Sequence, residues 1–131
     1  IQSIEGLLDG YPSIDLNYVI AIYKGTNSEF NAPANAVIYN LDGTIHKVLT
    51  IPILHSPNIV ERIARNSESN PPIESAPFEG GLYFSGFDWK RTQDGRLVNR
   101  VQIIYELDWM EFRELNPETG EIGSYLGQGR L

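Results

Sequence analysis

Apolar residues recur along the chain in short runs that alternate with polar positions and are separated by turn-forming residues. The runs are LNYVIAIYKG, NAVIYN, TIHKVLTIPI, GLYFSGFDWKR, LVNRVQIIYEL, WMEFREL and EIGSYLG. Alternation of this kind, with many β-branched and aromatic side chains, is typical of half-buried β-strands. The pattern therefore predicts about six or seven strands.

Three turn signals lie between these runs, at residues 40–44 (NLDGT), 92–96 (TQDGR) and 116–121 (NPETGE). Asp-Gly pairs supply a positive φ at low steric cost, and in the third segment Pro117 presets φ while Gly120 can close the turn. Strands joined by consecutive hairpins form an antiparallel meander. We expect that meander to be strongly twisted or partly closed into a barrel.

One segment follows a helical rather than an alternating pattern. Ser56 is a suitable N-cap and Pro57 suits the first helical position. The apolar stripe that follows is Ile59, Val60, Ile63 and Ala64, and the solvated positions are Glu61, Arg62 and Arg65. This predicts a helix from Pro57 to Arg65, ended by Asn66. The glycine-containing segment SIEGLLDG is a weaker helix candidate. The predicted fold class is α+β, an antiparallel meander with one short helix packed on it.

Length, charge and cysteine content narrow the classes of protein. A chain of 131 residues predicts a single domain, residues 1–131. Without cysteine there is no disulfide, thiolate zinc site or thiol nucleophile. The net charge of -7 disfavours binding to nucleic acid or anionic membranes and favours basic partners. No apolar run is long enough for a membrane-spanning helix. We expect a soluble, cytoplasmic protein, with an upstream signal peptide as the alternative because the chain starts at Ile1.

The register of the hairpin around residues 92–96 decides which aromatic residues share a face. A three-residue loop of Gln93, Asp94 and Gly95 sets Trp89 opposite Asn99, Phe87 opposite Val101, Ser85 opposite Ile103 and Tyr83 opposite Tyr105. It also pairs Asp88 with Arg100 on the wetter face. A two-residue loop would instead pair Trp89 with Arg100. We favour the three-residue loop because it gathers the aromatic side chains on one face.

These aromatic residues, together with Trp109, suit a core or an interface. If the sheet curls, they could instead line a pocket for a small apolar or aromatic ligand. The candidates for such a pocket are Tyr83, Phe87, Trp89, Tyr105 and Trp109, with Glu106 or Asp88 as its polar group. A ligand-binding or enzymatic half-barrel is thus our second hypothesis.

The acidic residues near position 106 suit a structural role better than a metal-binding or catalytic one. Glu106 and Asp108 fall two apart on one predicted strand face and could share a cation, yet no histidine or dedicated loop completes such a site. The apolar phase changes near Asp108, which predicts a bulge, bend or tight turn there. We therefore predict no metal site and no cofactor.

Catalytic motifs are absent from the sequence. His46 and His55 have no metal-ligand spacing, and Ser56 beside His55 lacks the third group that orients a catalytic histidine. The sequence contains no GxSxG, P-loop or HExxH. We predict no catalytic residues and favour a protein that is not an enzyme.

The leading hypothesis is a binding protein that engages a protein partner. The composition resembles that of immunity-type inhibitors and accessory proteins. Candidate contacts are the acidic residues Glu106, Asp108 and Glu111 and the segment 66–81, within which Ile73 and Phe78 are the apolar positions. A homodimer through a strand edge or an aromatic patch is the alternative.

Overall fold

The computed structural model of the chain describes residues 6–69, 81–106 and 108–130. These residues form eight strands and one helix in the order β1 Leu7–Pro12, β2 Tyr18–Tyr23, β3 Ala36–Asn40, β4 Ile45–Val48, α1 Pro57–Glu68, β5 Leu82–Arg91, β6 Leu97–Tyr105, β7 Trp109–Leu115 and β8 Ile122–Arg130. In these residues there is no helix both long and apolar enough to cross a membrane.

The strands form two four-stranded antiparallel sheets, β1-β2-β3-β4 and β5-β6-β7-β8, each following the order of the chain. The predicted class, α+β with antiparallel strands and one short helix, is confirmed. Instead of one meander of six or seven strands there are two meanders of four strands, and neither is a closed barrel. The extra strand is β1, in the segment where the sequence favoured a weak helix, and it forms because it pairs with the buried strand β2.

The three predicted hairpin tips are present. Each is closed by a backbone hydrogen bond, from Asn40 to the Thr44 carbonyl at 2.8 Å, from Thr92 to Arg96 at 2.7 Å and from Asn116 to Glu121 at 2.9 Å. The tip glycines Gly43, Gly95 and Gly120 have φ of +89°, +89° and +78°. The turn residues therefore act through the left-handed conformation that glycine adopts without steric cost.

The main core lies between the inner faces of the two sheets. Its buried residues are Ile20, Ile22, Ala36, Ile38, Leu49, Phe84, Phe87, Val101, Ile103 and Leu115. They come from β2 and β3 of the first sheet, from β5, β6 and β7 of the second, and from the segment after β4. Neither sheet buries its inner face without the other, so the two meanders form one hydrophobic core.

Three polar side chains join the sheets. Asn35 is fully buried, donates to the carbonyls of Tyr23 and Phe84, both at 2.7 Å, and accepts from the Phe84 N–H at 2.9 Å. Asn99 on β6 accepts from the Ile14 N–H at 3.0 Å, and Trp89 on β5 donates to the Pro12 carbonyl at 2.9 Å. These bonds satisfy backbone groups at the junction that no strand ladder reaches.

A smaller cluster covers the outer face of the first sheet. It contains Ala21, Tyr23, Val37 and Tyr39, with Leu7 and Phe30 packed against it. The hydroxyls of Tyr23 and Tyr39 lie 2.7 Å apart. Burial, and then the hydrogen bond with Tyr23, raise the pKa of Tyr39 above its ordinary value. Tyr39 therefore stays protonated through the physiological pH range.

Helix α1 is longer than predicted. It runs to Glu68 rather than Arg65, because Asn66 does not end the helix but faces inward and donates to the Tyr105 hydroxyl at 2.8 Å. The inward positions are Ile59, Arg62, Ile63 and Asn66, whereas Val60 and Ala64 of the predicted apolar stripe are exposed. Ser56 occupies the N-cap, but its side chain makes no cap hydrogen bond to the helix.

Candidate functional site

The register of the β5–β6 hairpin follows the three-residue loop as far as Phe87. Trp89 pairs with Asn99, Phe87 with Val101 and Asp88 with Arg100, as predicted. A register shift between Phe84 and Gly86 then changes the pairing, so that Tyr83 lies opposite Ile104 and Leu82 opposite Tyr105. The predicted pairs Ser85 with Ile103 and Tyr83 with Tyr105 are therefore wrong. A bulge moves every later side chain of the strand to the other face.

The aromatic candidates consequently lie in separate environments. Tyr83 packs with Ala32 and Ile104 on the outer face, and burial raises its pKa. Phe87 belongs to the main core. Trp89 packs against that core and makes a T-shaped contact with Tyr11, with the ring centroids 5.4 Å apart.

The remaining pocket candidates are also occupied by contacts within the chain. The Tyr105 hydroxyl accepts from Asn66, and the Arg130 guanidinium lies over the Trp109 ring at 5.1 Å. Asp88 is exposed and accepts two hydrogen bonds from Arg100, at 2.8 and 2.7 Å. The seven side chains proposed for an aromatic pocket therefore do not surround one cavity.

Glu106 and Asp108 lie in a tight turn and not on a strand face. The turn runs from Tyr105 to its partner Trp109, with the Asp108 N–H donating to the Tyr105 carbonyl at 3.1 Å. Glu106 has a φ of +56°, which is unfavourable for a residue with a side chain. The predicted irregularity near Asp108 is this turn.

Both carboxylates of the turn are paired with arginines. Glu106 accepts from Arg62 of α1 at 2.8 Å and also from Asn66. Asp108 accepts from Arg130 of β8 at 2.8 Å, and a second Arg62 nitrogen lies 3.9 Å away. The two acids thus tie the helix and the last strand to the turn, which leaves little free negative charge for a partner.

Glu111 is not part of an acidic surface, because its side chain is fully buried. It forms an ion pair with Arg113 at 2.8 Å and accepts the backbone N–H groups of His55 and Ser56 at 2.8 and 2.6 Å. Burial alone would raise the pKa of Glu111. Hydrogen bonds from Ser56, Arg113 and His55 outweigh burial and hold the pKa below its ordinary value. Glu111 therefore carries a charge that fixes the chain just before helix α1.

The other predicted positions have no chemistry in common. Ile73 and Phe78 lie outside the residues that the structure describes. His46 stacks on Tyr18 with ring centroids 4.8 Å apart, and its Nε2 lies 2.6 Å from the Glu118 carbonyl. The ring centroids of His55 and Tyr125 lie 6.2 Å apart. Across residues 6–69, 81–106 and 108–130, no group of three or more acidic or histidine side chains is placed to hold a metal.

A cleft that the sequence did not single out lies between the tip of the β5–β6 hairpin and the middle of β8. Its volume is about 750 Å³, and its walls are formed by residues 90–94, Arg96, Arg100 and residues 124–127. Lys90, Arg91, Arg96 and Arg100 supply four cationic side chains, against the single carboxylate of Asp94. We call this site the basic cleft.

The cations of the basic cleft differ in how far they are already paired. Arg100 is held by Asp88, and Arg96 lies 3.3 Å from Asp94 and 3.7 Å from Glu114. Among the described residues no carboxylate pairs with the exposed side chains of Lys90 and Arg91.

The single acid of the basic cleft is itself stabilised as an anion. Its first contact is the Thr92 hydroxyl, which donates to it, and the Arg96 backbone N–H and side chain add to this, so the pKa of Asp94 lies below its ordinary value. Asp94 and Glu114 lie beside Arg96, and Asp88 pairs with Arg100, so the positive charge left for a ligand is that of Lys90 and Arg91. This arrangement can bind and orient a carboxylate or another anion.

A sequence signal for this site does exist. The stretch from Lys90 to Arg100, KRTQDGRLVNR, contains four of the chain's 10 Lys and Arg residues and one acid, Asp94.

No family model matches the chain, no curated protein matches it, and no solved structure matches it.

Proposed function

We propose that the chain is a non-enzymatic binding protein that holds an acidic segment of a partner protein in the basic cleft. The observation that carries the proposal is the charge of the site. Four cationic side chains and one carboxylate line a cleft of about 750 Å³ in a protein whose net charge is -7. A concentration of positive charge on an otherwise acidic protein attracts an anionic partner to that one place.

The proposal keeps the class of function expected from the sequence, but it changes the binding surface and the charge of the partner, which was expected to be basic and is here acidic. The acidic residues Glu106 and Asp108 are paired with arginines, and Glu111 is buried. Lys90 and Arg91, by contrast, are exposed and are not paired with carboxylates among the described residues. Carboxylates of a partner would form ion pairs with these two side chains.

The side chains of the basic cleft are suited to binding more than to proton transfer. Its lining contains arginines, one lysine and hydroxyl groups from Thr92, Ser124 and Tyr125, but no histidine. Arginine recognises carboxylates with two parallel hydrogen bonds and keeps its charge at all physiological pH values. This supports recognition of an anion in preference to acid-base chemistry on it.

The test compares a short peptide rich in glutamate with the same peptide carrying glutamine, by isothermal titration calorimetry at about 0.01 M ionic strength, where screening is weak. We expect the glutamate peptide to bind. The double variant Lys90→Gln/Arg91→Gln should weaken its binding by about tenfold, because two charge contacts of modest strength are lost.

The matched control is Lys24→Gln/Lys47→Gln, which changes the net charge equally but alters exposed lysines outside the basic cleft. We expect the control to bind the glutamate peptide almost as tightly as the original chain. Equal weakening by the two double variants would mean that overall charge, and not the cleft, determines binding. Equal binding of the glutamate and glutamine peptides would also contradict the proposal.

A further inference from the structure

Strand β8 has two features that suit it to contact a partner bound in the basic cleft. It is the last strand of the second sheet, paired with β7 on one side only. Its middle, residues 124–127, also forms one wall of the basic cleft. An unpaired strand edge and a charged cleft are therefore next to each other.

The outer edge of β8 is open in the described part of the chain. Within residues 6–69, 81–106 and 108–130, no backbone hydrogen bond joins residues 122–130 to any strand or loop other than β7. One carbonyl, that of Gly123, accepts from the Arg113 Nε at 2.8 Å. From Gly127 to Arg130 the antiparallel pairing with β7 has no register shift.

The outer strands of the first sheet are protected against pairing in ways that β8 is not. Strand β1 contains Asp9 and Pro12, and β4 has only 4 residues, including Lys47. Strand β8 has 9 residues, IGSYLGQGR, with no acid, lysine or proline, although its pairing with β7 is irregular near Arg113. Charges, prolines and short length are the usual means of keeping an edge strand from pairing with another chain.

We propose that an extended acidic segment of a partner protein adds to the outer edge of β8 and places its carboxylates in the basic cleft. Backbone hydrogen bonds to the edge would supply affinity, and the cations would select for acidic side chains. This inference rests on the proposed function and adds the conformation of the bound segment.

The charges of the chain favour a separate acidic partner over a second copy. Strand β8 itself contains no Asp or Glu, so pairing of two β8 strands would bring no carboxylate from either strand into the basic cleft. An acidic segment from another protein satisfies both the edge and the cations.

The experiment uses three forms of the glutamate peptide, one unmodified and two that are N-methylated on alternate residues. A strand that adds to an edge directs the N–H groups of alternate residues toward that edge. Methylation of the set facing β8 should weaken binding by tenfold or more, because several backbone bonds are lost, while methylation of the other set should have little effect. Hydrogen exchange of the β8 amides should slow when the unmodified peptide is bound.

The outcomes separate this inference from the proposed function. If both methylated peptides bind as tightly as the unmodified one, or if both weaken equally, strand addition is wrong, while discrimination by the Lys90→Gln/Arg91→Gln variant would still support the basic cleft. If sedimentation shows that the chain alone dimerises with slowed exchange in β8, a second copy occupies the edge and the acidic occupant is wrong. If the glutamate peptide binds the original chain and the Lys90→Gln/Arg91→Gln variant with equal affinity, the proposed function itself is wrong.

Discussion

Two arginines of the second sheet, Arg113 and Arg91, differ in how their charges are paired. Arg113 is almost fully buried and donates to the Glu111 carboxylate and to the carbonyls of Ile53 and Gly123, at 2.8 to 2.9 Å. Arg91, at the tip of the β5–β6 hairpin, is exposed and donates only to the nearby Gly95 carbonyl among the described residues. The charge of Arg113 is used within the fold, whereas the charge of Arg91 is available to a partner. We therefore expect stability and the proposed binding to depend on different residues of one sheet.

The largest effect should come from breaking the buried pair. Glu111→Gln preserves the shape of the side chain but leaves the Arg113 guanidinium without its counter-charge. We expect the free energy of unfolding, measured by urea denaturation, to fall by about 3 to 5 kcal/mol. The same change at the exposed pair, Glu61→Gln beside Arg65, should cost less than about 0.5 kcal/mol. Similar losses in the two variants would remove the distinction between buried and exposed charges.

A buried polar side chain without charge should have a somewhat smaller effect. Asn35→Ala removes three hydrogen bonds between the sheets and leaves the buried N–H and carbonyl groups of Phe84 and the Tyr23 carbonyl without this partner. We expect a loss of about 2 to 4 kcal/mol in urea denaturation. A loss below 0.5 kcal/mol, about what is usual for a surface substitution, would show that water replaces these bonds.

The buried carboxylate of Glu111 should also make the stability of the folded chain depend on pH. The pKa of Glu111 is lower in the folded chain than its ordinary value of 4.5. The contribution of this group is therefore present above that value and is lost as the pH falls through the folded pKa. We expect the free energy of unfolding to fall with pH below about 4.5, and to fall less steeply in Glu111→Gln. Parallel curves for the two proteins would assign the acid sensitivity to other carboxyls.

A smaller effect is expected at the turn between β6 and β7. Glu106→Ala and Glu106→Gly both remove the carboxylate that pairs with Arg62, but only glycine adopts the φ of +56° without steric cost. The glycine variant should therefore be more stable than the alanine variant by about 0.5 to 1 kcal/mol in urea denaturation. A more stable alanine variant would indicate that the turn changes conformation when the carboxylate is lost.

The smallest effect on stability is expected in the basic cleft. Lys90→Gln/Arg91→Gln should change the free energy of unfolding by less than about 0.5 kcal/mol, because both side chains are exposed. This is the same variant that should weaken binding of the acidic peptide. A large loss of stability would mean that these cations support the fold, and the separation between stability and binding would be lost.

Local patterns predicted much of the fold. Alternating apolar runs identified seven of the eight strands in the described part of the chain, and the Asp-Gly segments identified two hairpin tips, because both depend on neighbouring residues. Strand β1 was missed because its place depends on pairing with β2. The division into two sheets was missed for the same reason, since no short pattern records which distant strands pair.

The site was predicted less well because it depends on long-range packing. Glu111 alternates in sequence like a surface residue, yet the backbone N–H groups of His55 and Ser56 and the Arg113 side chain allow it to be buried. One bulged residue placed Tyr83 on the opposite face from Phe87. The basic cleft joins residues near 90 to residues near 125, and they meet only because strands β5 to β8 pair in one sheet.

The order of the strands has a consequence for synthesis of the chain. Residues 7–48 contain all the strands of the first sheet, so its ladders can form before residues 82–130 leave the ribosome. The inner face of that sheet, including Ile20, Ile22 and Ile38, is covered only when the second sheet arrives. A first sheet that forms at this stage exposes an apolar face, and we expect the nascent chain to bind chaperones until the second sheet covers that face.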